Sequence, residues 1–252
     1  MTISIITSSY NSEETIRDTI ESMLRQTWHN FEYIIVDGGS EDGTMDIVRE
    51  YEKVFEGKLR YLSEPDNGIY EAMNKGLGMA TGDVVGFLNS DDYYTANDVL
   101  QTVAEAFDMS DIDAVYGDIH YVSATPPHKR TRYYSSRLFS RFFMRFGFMP
   151  AHPSFYCKRE IYDNYGNFDT SFRIASDFEI LLRFIFIHRI RTKYISRDFV
   201  TMRTGGISNR KLSNRMEIMK DHVRALKKNR VYSNRFLLSL RYLYKIVELI
   251  RR

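Results

Sequence analysis

The sequence predicts an α/β protein with a mostly parallel, doubly wound sheet. One observation predicts this fold class, and a second predicts the number of domains. Apolar, β-rich runs alternate with amphipathic helical patterns over about the first hundred residues, which is typical of parallel strands joined by right-handed crossovers. The chain has 252 residues, enough for one large domain with a substantial core, so a second complete domain is not required.

The first βα unit opens the chain. Residues 3–7 form the first predicted strand, and Asn11 with Glu14 three positions later predicts a capping box for the following helix. The connection between strand and helix, residues 8–11, contains no glycine, so it is neither the dinucleotide fingerprint nor a Walker loop. The later elements predicted in this half are strands over 31–36, 59–62 and 84–88 and helices over 45–51 and 69–79.

Acidic residues directly follow two of these strands. Asp37 comes after the second, and Asp91 and Asp92 close the polar tip of the fourth. Ligands of open α/β sheets bind beyond the carboxyl ends of the strands, and adjacent carboxylates repel each other unless a cation or hydrogen-bond donors offset their charge. Mg²⁺ and Mn²⁺ take oxygen ligands of this kind. In the alternative interpretation these acids are turn residues ahead of a helix that Asp98 caps.

From residue 113 the pattern changes to shorter elements. A strand over 151–157 is introduced by His152, and a lone histidine is more often structural than a ligand. Asp177 falls in the first turn of a helix with Ser176 as its N-cap, where the helix dipole favours negative charge, so taken singly it indicates helix stabilisation. The other predicted elements are strands over 114–118, 119–122, 131–134 and 198–202 and a helix over 158–165.

The net charge of +2 hides a basic C-terminal segment. Residues 201–252 carry 14 Lys or Arg against three Asp or Glu, together with two apolar stripes at helical spacing. The stripes predict two helices that pack as an antiparallel pair on the body or on a second subunit, with a membrane-surface role as the alternative. Their members are Leu212, Met216, Met219, Val223 and Leu226, then Phe236, Leu240, Leu243, Val247 and Ile250.

A second basic segment lies inside the body. Residues 129–148 hold six Lys or Arg, seven Tyr or Phe and no acid. This composition suits contact with phosphate and an apolar or glycan partner, and it equally suits a surface helix whose aromatic side chains belong to the core.

Cysteine usage and hydropathy bound the compartment. Cys157 is the single cysteine, which excludes an intrachain disulfide and a cysteine-based zinc site and fits a reducing environment. No apolar run approaches the length of a membrane span, and the N-terminus has no basic start followed by a long apolar stretch. We therefore expect a cytoplasmic protein, either free or peripheral on the inner face of the cytoplasmic membrane.

Five motifs recur along the chain in a specific order. They are Ser9-Tyr10-Asn11, Val36-Asp37-Gly38-Gly39-Ser40, Asn67-Gly68 with Ala72, Asn74 and Gly76, Asn89-Ser90-Asp91-Asp92, and Ser176-Asp177. This series resembles inverting glycosyltransferases of family 2, of the type found in bacterial polysaccharide biosynthesis, over about residues 1–185. The resemblance implies a GT-A fold, an αβα sandwich. It implies a domain over 1–205, with a nucleotide-binding half (1–100) and an acceptor-side half (101–205), and a basic helical extension over 206–252.

The resemblance also implies roles for single residues. Asp37 matches the acid that reads the uracil edge, and Asp177 matches a general base that works at a near-normal pKa, with Ser176 where the family more often has Glu. Asn89 replaces the first acid of the metal-binding Asp-x-Asp motif. The implied contacts are Ser9, Tyr10, Asn11, Glu13, Asp37, Asn67, Gly68, Asn74, Ser90 and Asp91 for the nucleotide, Asp91 and Asp92 for Mg²⁺ or Mn²⁺, and His152, Ser176, Arg203 and the Gly205-Gly206 loop for the acceptor or diphosphate.

The partners that follow are a nucleotide-sugar donor, usually a UDP-sugar, and a glycan or polyprenyl-diphosphate-linked acceptor. An anionic membrane surface and a homodimer through the C-terminal helices are further expectations, and nucleic acid is not expected. Two other classes are weighed. A sugar-phosphate nucleotidyltransferase is expected to have a glycine-rich loop after the first strand, which this chain lacks. A non-catalytic nucleotide-sugar binder would bind the donor without turnover.

Overall fold

The computed structural model describes residues 1–125, 128–204 and 212–241. Within them, nine strands form one sheet in the order β3-β2-β1-β4-β8-β6-β9-β5, with β7 paired to β6. Several predictions lie outside the described residues: the Gly205-Gly206 loop, the 205/206 domain boundary, the side chain of Leu212, and the positions of Leu243, Val247 and Ile250.

The nucleotide-binding half that the sequence predicts is built on four parallel strands. β1 aligns with both neighbours, so that Ser9 pairs with Asp37 and Ile6 with Phe87. The alternation of strands and helices predicted this arrangement. The elements are β1 (Ile3–Ser9), α1 (Ile16–Leu24), β2 (Phe31–Asp37), α2 (Thr44–Tyr51), β3 (Leu59–Ser63), α3 (Ile69–Met79) and β4 (Val84–Phe87).

The elements after β4 continue the same sheet with mixed strand directions. β8 runs antiparallel to both β4 and β6, whereas β9 runs parallel to β6. Its elements are β5 (Asp92–Tyr94), α4 (Val99–Asp108), β6 (Ala114–Val122), β7 (Arg130–Tyr134), a 3-10 helix (Arg141–Phe146), a short 3-10 turn (His152–Ser154), β8 (Phe155–Lys158), α5 (Arg159–Tyr165), α6 (Ser176–Leu181), a π-helical segment (Leu182–Ile187) and β9 (Thr192–Arg203).

The sheet separates two apolar cores. Successive strand residues face opposite sides, so Ile5 lies in one core and Ile6 in the other. Helices α1, α2 and α4 cover the first side, and α3, α5 and α6 cover the second. The result is a three-layer αβα arrangement. Gly76 of α3 allows the closest approach, because a Cβ there would lie only 2.4 Å from Cγ2 of Ile6.

The C-terminal segment packs on the second side of the sheet. Ala225 and Leu226 of α7 (Leu212–Lys228) are buried against α6, and Leu238 from a final helical segment, 235–241, joins the same core. Packing on the body is therefore what the described part of these helices does. Throughout residues 1–125, 128–204 and 212–241, no helix is both long and apolar enough to cross a bilayer.

Two local predictions are wrong. Helix α1 begins at Ile16 without a side-chain cap, because the Asn11 side chain instead accepts a hydrogen bond from the Glu41 amide at 3.0 Å. The strand predicted over 151–157 begins only at Phe155, since Pro153 lacks the N–H that a strand pairing needs. Within 129–148, β7 confirms the strand predicted over 131–134, and the helical residues form a 3-10 helix and not the surface helix of the alternative interpretation.

Candidate active site

Asp37 ends β2 in a closed polar environment. Its side chain is fully buried and accepts five hydrogen bonds, from the hydroxyls of Ser9, Ser40 and Ser63 and from the backbone amides of Gly39 and Ser40. A carboxylate has about four lone-pair positions, so the protein itself uses them all. Asp37 holds the loop after β2 in place, and an N–H of a base would have to displace one of the hydroxyl donors to reach it.

The loop after β1 is tied to the loop after β2. Asn11 has a positive φ of 47°; its amide donates to Ser40 Oγ at 2.8 Å, and Glu13 Oε2 accepts from the Gly43 amide at 2.8 Å. Two implied nucleotide contacts thus brace the two loops against each other. Tyr10 is different, because its side chain is 63% exposed and its ring is open to a planar ligand.

The residues that the resemblance implies near the start of α3 differ in their contacts. Gly68 has a φ of 125° with open space around a Cβ, and Asn67 donates to Glu71 Oε2 at 2.7 Å. Asn74 points elsewhere: its amide oxygen accepts from the Phe168 amide at 3.0 Å and its nitrogen donates to the Phe168 carbonyl at 2.9 Å. Asn74 therefore connects α3 to the loop ahead of α6, and its nucleotide contact stays a prediction.

The tip of β4 gathers oxygen atoms that lack donors. Both carboxylate oxygens of Asp92 and the side-chain oxygen of Asn89 are buried, and none has a hydrogen-bond partner within the described part of the chain. Burial, and next the neighbouring Asp91 carboxylate, hold the pKa of Asp92 well above its usual range; the nearby Arg203 amide and Asn89 side chain act in the opposite direction without forming a hydrogen bond of normal geometry. Ser90 connects this tip to the β1 loop, because its hydroxyl lies 2.8 Å from the Ser12 hydroxyl.

This group of oxygens fits a hard divalent cation. Across the described residues, no cluster of three or more His, Cys, Asp or Glu side chains is arranged as a metal site. Mg²⁺ and Mn²⁺ sites of phosphate-binding enzymes, however, often use one or two carboxylates and complete the coordination with substrate phosphates and water. Asp91, Asp92 and Asn89 could supply that share, and a bound cation would offset the unpaired carboxylate of Asp92.

Arg203 of β9 makes hydrogen bonds at the same acidic segment. Its guanidinium is 7% exposed and donates to the Asp91 carbonyl at 2.9 Å and to the carboxylate of Asp18. It also stacks over the Tyr93 ring, 5.0 Å from the centroid. These contacts hold the acidic tip, and the implied contact with the diphosphate stays a prediction.

Asp177 lies in the first turn of α6, as predicted, although Ser176 is not its cap. The N-cap position is Ala175, and the buried Ser176 hydroxyl has no partner among the described residues. One Asp177 oxygen accepts from the Phe178 amide at 2.8 Å and from the Tyr70 hydroxyl at 3.4 Å. Burial raises the pKa of Asp177 to about 6, so the expectation of a near-normal pKa is wrong.

Two neighbours of Asp177 escaped the sequence reasoning. Tyr70 donates its hydroxyl to the Ile174 carbonyl, and Asp221 of α7 accepts from the Ile174 amide at 3.3 Å. The charge of Asp221 is a further cause of the raised Asp177 pKa, smaller than burial. The signals were the position of Tyr70 just after Asn67-Gly68 and the presence of a single Asp in residues 201–252.

Tyr121 of β6 connects the β4 tip with α6. Burial raises the pKa of Tyr121, Arg132 lowers it, and the carboxylates of Asp92 and Asp177 both raise it. Asp92 and Asp177, 85 positions apart in the sequence, are therefore both within electrostatic reach of one phenol. The structure brings the acidic tip of β4 and the acid of α6 into one region.

His152 lies under this region and not in it. Its ring packs against Phe87 and Phe168, with centroids 5.2 and 5.6 Å away, and burial lowers its pKa to about 4. A neutral, buried ring favours the structural interpretation, while the acceptor contact is untested. An open groove of about 760 Å³ beside Asp83 and Lys158 lies at the other end of β4 and does not include any of these acids.

Comparison with known proteins decides the family. The sequence profile described as "Glycosyl transferase family 2" matches residues 4–177, which is more than half of the chain and spans every motif from the β1 loop to Asp177. The chain belongs to glycosyltransferase family 2. As a member of this family the protein is a glycosyltransferase enzyme, so neither the nucleotidyltransferase nor the non-catalytic interpretation is kept.

Individual relatives of this family 2 glycosyltransferase agree. The chain is 28% identical over 208 residues to a "PGL/p-HBAD biosynthesis glycosyltransferase" of Mycobacterium tuberculosis, covering 82% of this chain and 78% of that protein. Among solved structures, S. aureus TarS 1-349 in complex with UDP-GlcNAc has a TM-score of 0.70 at 21% identity, covering 90% of this chain and 66% of that one.

A second solved structure is the mannosyltransferase PcManGT from Pyrobaculum calidifontis in complex with GDP-Man and Mn²⁺, with a TM-score of 0.67 at 20% identity, covering 90% of this chain and 63% of that one. The chain spans only 40% of the longer TarS chain. At these identities the likeness shows the fold, which is the GT-A fold that the resemblance implied.

Proposed function

We propose that this enzyme transfers a sugar from a nucleotide-diphosphate sugar, most simply a UDP-sugar, to a hydroxyl of a glycan or lipid-linked acceptor, with inversion at the anomeric carbon. The observations that support it are that Asp92 and Tyr121 both lie beside Met202 in the sheet and that the carboxylates of Asp92 and Asp177 both raise the pKa of Tyr121. A side chain able to accept a proton lies near a cluster of unpaired oxygens able to hold a cation. The complexes of TarS with UDP-GlcNAc and of PcManGT with GDP-Man and Mn²⁺ support the donor class.

The proton transfer is assigned to Asp177. The acceptor hydroxyl gives its proton to the carboxylate while its oxygen bonds to the anomeric carbon, and the bond between that carbon and the diphosphate oxygen breaks. With a pKa of about 6, Asp177 is mostly ionised at pH 7 and lies close to the working pH, where a general base is most effective. A single displacement of this kind inverts the anomeric centre.

The donor side is assigned to the loops after β1, β2 and β4. The exposed Tyr10 ring offers a face to the base, while Asp37 and Asn11 keep the loop geometry. Asp91, Asp92 and Asn89 would hold Mg²⁺ or Mn²⁺, which neutralises charge that develops on the leaving diphosphate. The hydrogen bonds of Arg203 to Asp91 and Asp18 hold that tip in position.

A thermal-shift screen tests the donor assignment. UDP, GDP and their sugar conjugates are added with and without Mn²⁺. A ligand at a hundred times its Kd stabilises the native state by about 2.7 kcal/mol, which raises the Tm by roughly 5–10 °C in a chain of this size. We expect this shift with a UDP-sugar and Mn²⁺ together. The donor assignment fails if no nucleotide raises the Tm.

The configuration of the product tests the mechanism. Proton NMR of the first product formed is expected to show an anomeric configuration opposite to that of the donor. Retention of configuration would exclude the single displacement and, with it, the assignment of Asp177 as the base.

A further inference from the structure

The most exposed aromatic side chains of the acceptor-side half and the C-terminal segment lie in two short stretches. Phe142 and Phe143 of the 3-10 helix are 56% and 42% exposed, and Tyr232 and Phe236, just after α7, are 73% and 71% exposed. Leu138, 65% exposed, extends the first stretch. Scattered exposed apolar residues need no explanation, but a cluster of large ones marks an interaction surface.

The two stretches contact each other. The Ser233 hydroxyl donates to the Arg145 carbonyl at 2.6 Å, and a Cβ on Gly147 would lie 3.1 Å from Cδ2 of Leu238. We call the surface formed by Phe142, Phe143, Tyr232 and Phe236, with Leu138, the aromatic face. Its two stretches are about 90 residues apart in the sequence and are joined in the fold by the contacts of Ser233 and Leu238.

Positive charge surrounds the aromatic face and negative charge is absent from its segments. Arg137, Arg141 and Arg235 are exposed, and neither 128–148 nor 230–241 contains an Asp or Glu. Several arginines elsewhere on the surface are paired with acids, such as Arg17 with Glu50 and Arg49 with Asp46. The aromatic face therefore combines large exposed apolar side chains with a net positive charge.

We propose that the aromatic face inserts into the headgroup region of an anionic lipid bilayer. Aromatic side chains next to Arg are the composition of interfacial membrane-binding surfaces, and each basic residue near an anionic surface adds to the attraction. A second copy of the chain is a poorer occupant. A two-fold dimer brings the same patch of both subunits together, so the arginines would face each other without acids to offset them.

The position of the aromatic face suits a lipid-linked acceptor. Gly147, at the end of its 3-10 helix, lies against His222, whose ring packs at a tilt on Phe178 with centroids 4.1 Å apart. Phe178 follows Asp177 directly. Binding through this surface would bring the Asp177 side of the enzyme to the bilayer. The proposal itself is independent of the sugar donor and is tested without it.

Vesicle flotation with the full chain measures the binding. Vesicles of phosphatidylcholine with about 30% phosphatidylglycerol are compared with pure phosphatidylcholine vesicles. We expect binding to the anionic vesicles only, about tenfold weaker in the double variant Phe142→Ser with Phe143→Ser. The matched control is Val54→Ser with Met109→Ser, since those side chains are 56% and 77% exposed elsewhere; it should bind as the wild type does.

A charge variant keeps the test independent of apolar substitutions. Arg137→Gln with Arg141→Gln should also weaken binding about tenfold, because both residues act at the surface, whereas Arg17→Gln with Arg49→Gln should have little effect. Both patch variants must keep the wild-type Tm. If the aromatic variant does not fold, the arginine variant decides alone. Unchanged binding in the folded patch variants would overturn the proposal.

Fluorescence locates the inserted residue. Trp28 is the single tryptophan, so Phe142→Trp in a Trp28→Phe background reports on the aromatic face. A blue shift with anionic vesicles is expected there and not for Val54→Trp in the same background. A dimer in sedimentation velocity that the Phe142→Ser, Phe143→Ser variant dissociates, with no vesicle binding, would assign the surface to a second copy and overturn the proposal.

Discussion

Two buried carboxylates lie at or just beyond the ends of parallel strands of this enzyme and have opposite surroundings. Asp37 at the end of β2 accepts five hydrogen bonds from its own loop and neighbours. Asp92, just beyond β4, is equally buried, yet neither of its carboxylate oxygens has a donor within the described residues. The same residue type at the same edge of one sheet is thus satisfied in one place and unsatisfied in the other.

The difference distinguishes a carboxylate that stabilises the fold from carboxylates that could act on a ligand. Buried charge is costly unless donors or a counter-ion offset it, so the donors around Asp37 make it part of the fold. Asp92 carries that cost, which a bound cation would offset, and the half-buried Asp177 carries part of it as a raised pKa. We infer that the acids with few protein partners are the ones that act on a ligand.

The largest expected effect is on transfer in Asp177→Asn. Removing a general base costs about 10²–10⁴-fold in rate, because the carboxylate assigned to take the acceptor proton is lost. Initial rates with a nucleotide-sugar donor measure the loss, while the donor-dependent rise in Tm should persist. Asp163→Asn, on exposed α5, is the control. Transfer at the wild-type rate in Asp177→Asn would remove Asp177 from the base role.

The next effect is on stability in Asp37→Asn. Hydrogen bonds to a charged group contribute about 1.5–3 kcal/mol each, and an amide turns a donor toward the serine hydroxyls and backbone amides. We expect a loss of about 3 kcal/mol in the free energy of unfolding, measured by urea denaturation. Ser63→Ala, which removes one donor, should cost about 1 kcal/mol. A fully stable Asp37→Asn variant would contradict the structural role.

Asp92→Asn is expected to behave in the opposite way. The folded-state pKa of Asp92 is raised, so the stability it contributes is complete below its unfolded pKa near 4 and declines as the pH rises through the folded pKa. At pH 7 without metal the variant should melt no lower than the wild type. Mn²⁺ should raise the Tm of the wild type only, with Asp46→Asn as control. An equal rise in both proteins would exclude Asp92 as a ligand.

The smallest effect is on the pH profile. Asp177 must be ionised to accept a proton, so kcat/KM should rise with pH around a midpoint near 6, the pKa that burial gives it. Asp221→Asn removes a charge that helps raise this pKa and should move the midpoint to lower pH. Glu217→Gln, on the same helix and paired with Arg173, is the control. An unchanged midpoint in Asp221→Asn would mean that its charge does not reach the base.

Local patterns were sufficient for most elements. The prediction of helix 69–79 matches α3 at both ends, and the strands before Asp37 and Asp91 lie where alternation and β-rich composition placed them. The failures share one cause, which is that the deciding contact is distant in sequence. Asn11 is held by residues 40 and 41 and so does not cap α1, and Asp221 reaches the Asp177 loop from α7.

The sequence by itself determined the αβα class, the family and the order in which acids follow the strands, because strand alternation and motif order are properties of neighbouring residues. Only the tertiary structure decided which groups surround each carboxylate. Hydrogen-bond donors converge on Asp37, no described residue completes a hydrogen bond to the Asp92 carboxylate, and the packing of α6 against α3 and α7 raises the pKa of Asp177. Solvation and pairing depend on groups brought together from distant parts of the chain, and these set the chemistry of a carboxylate.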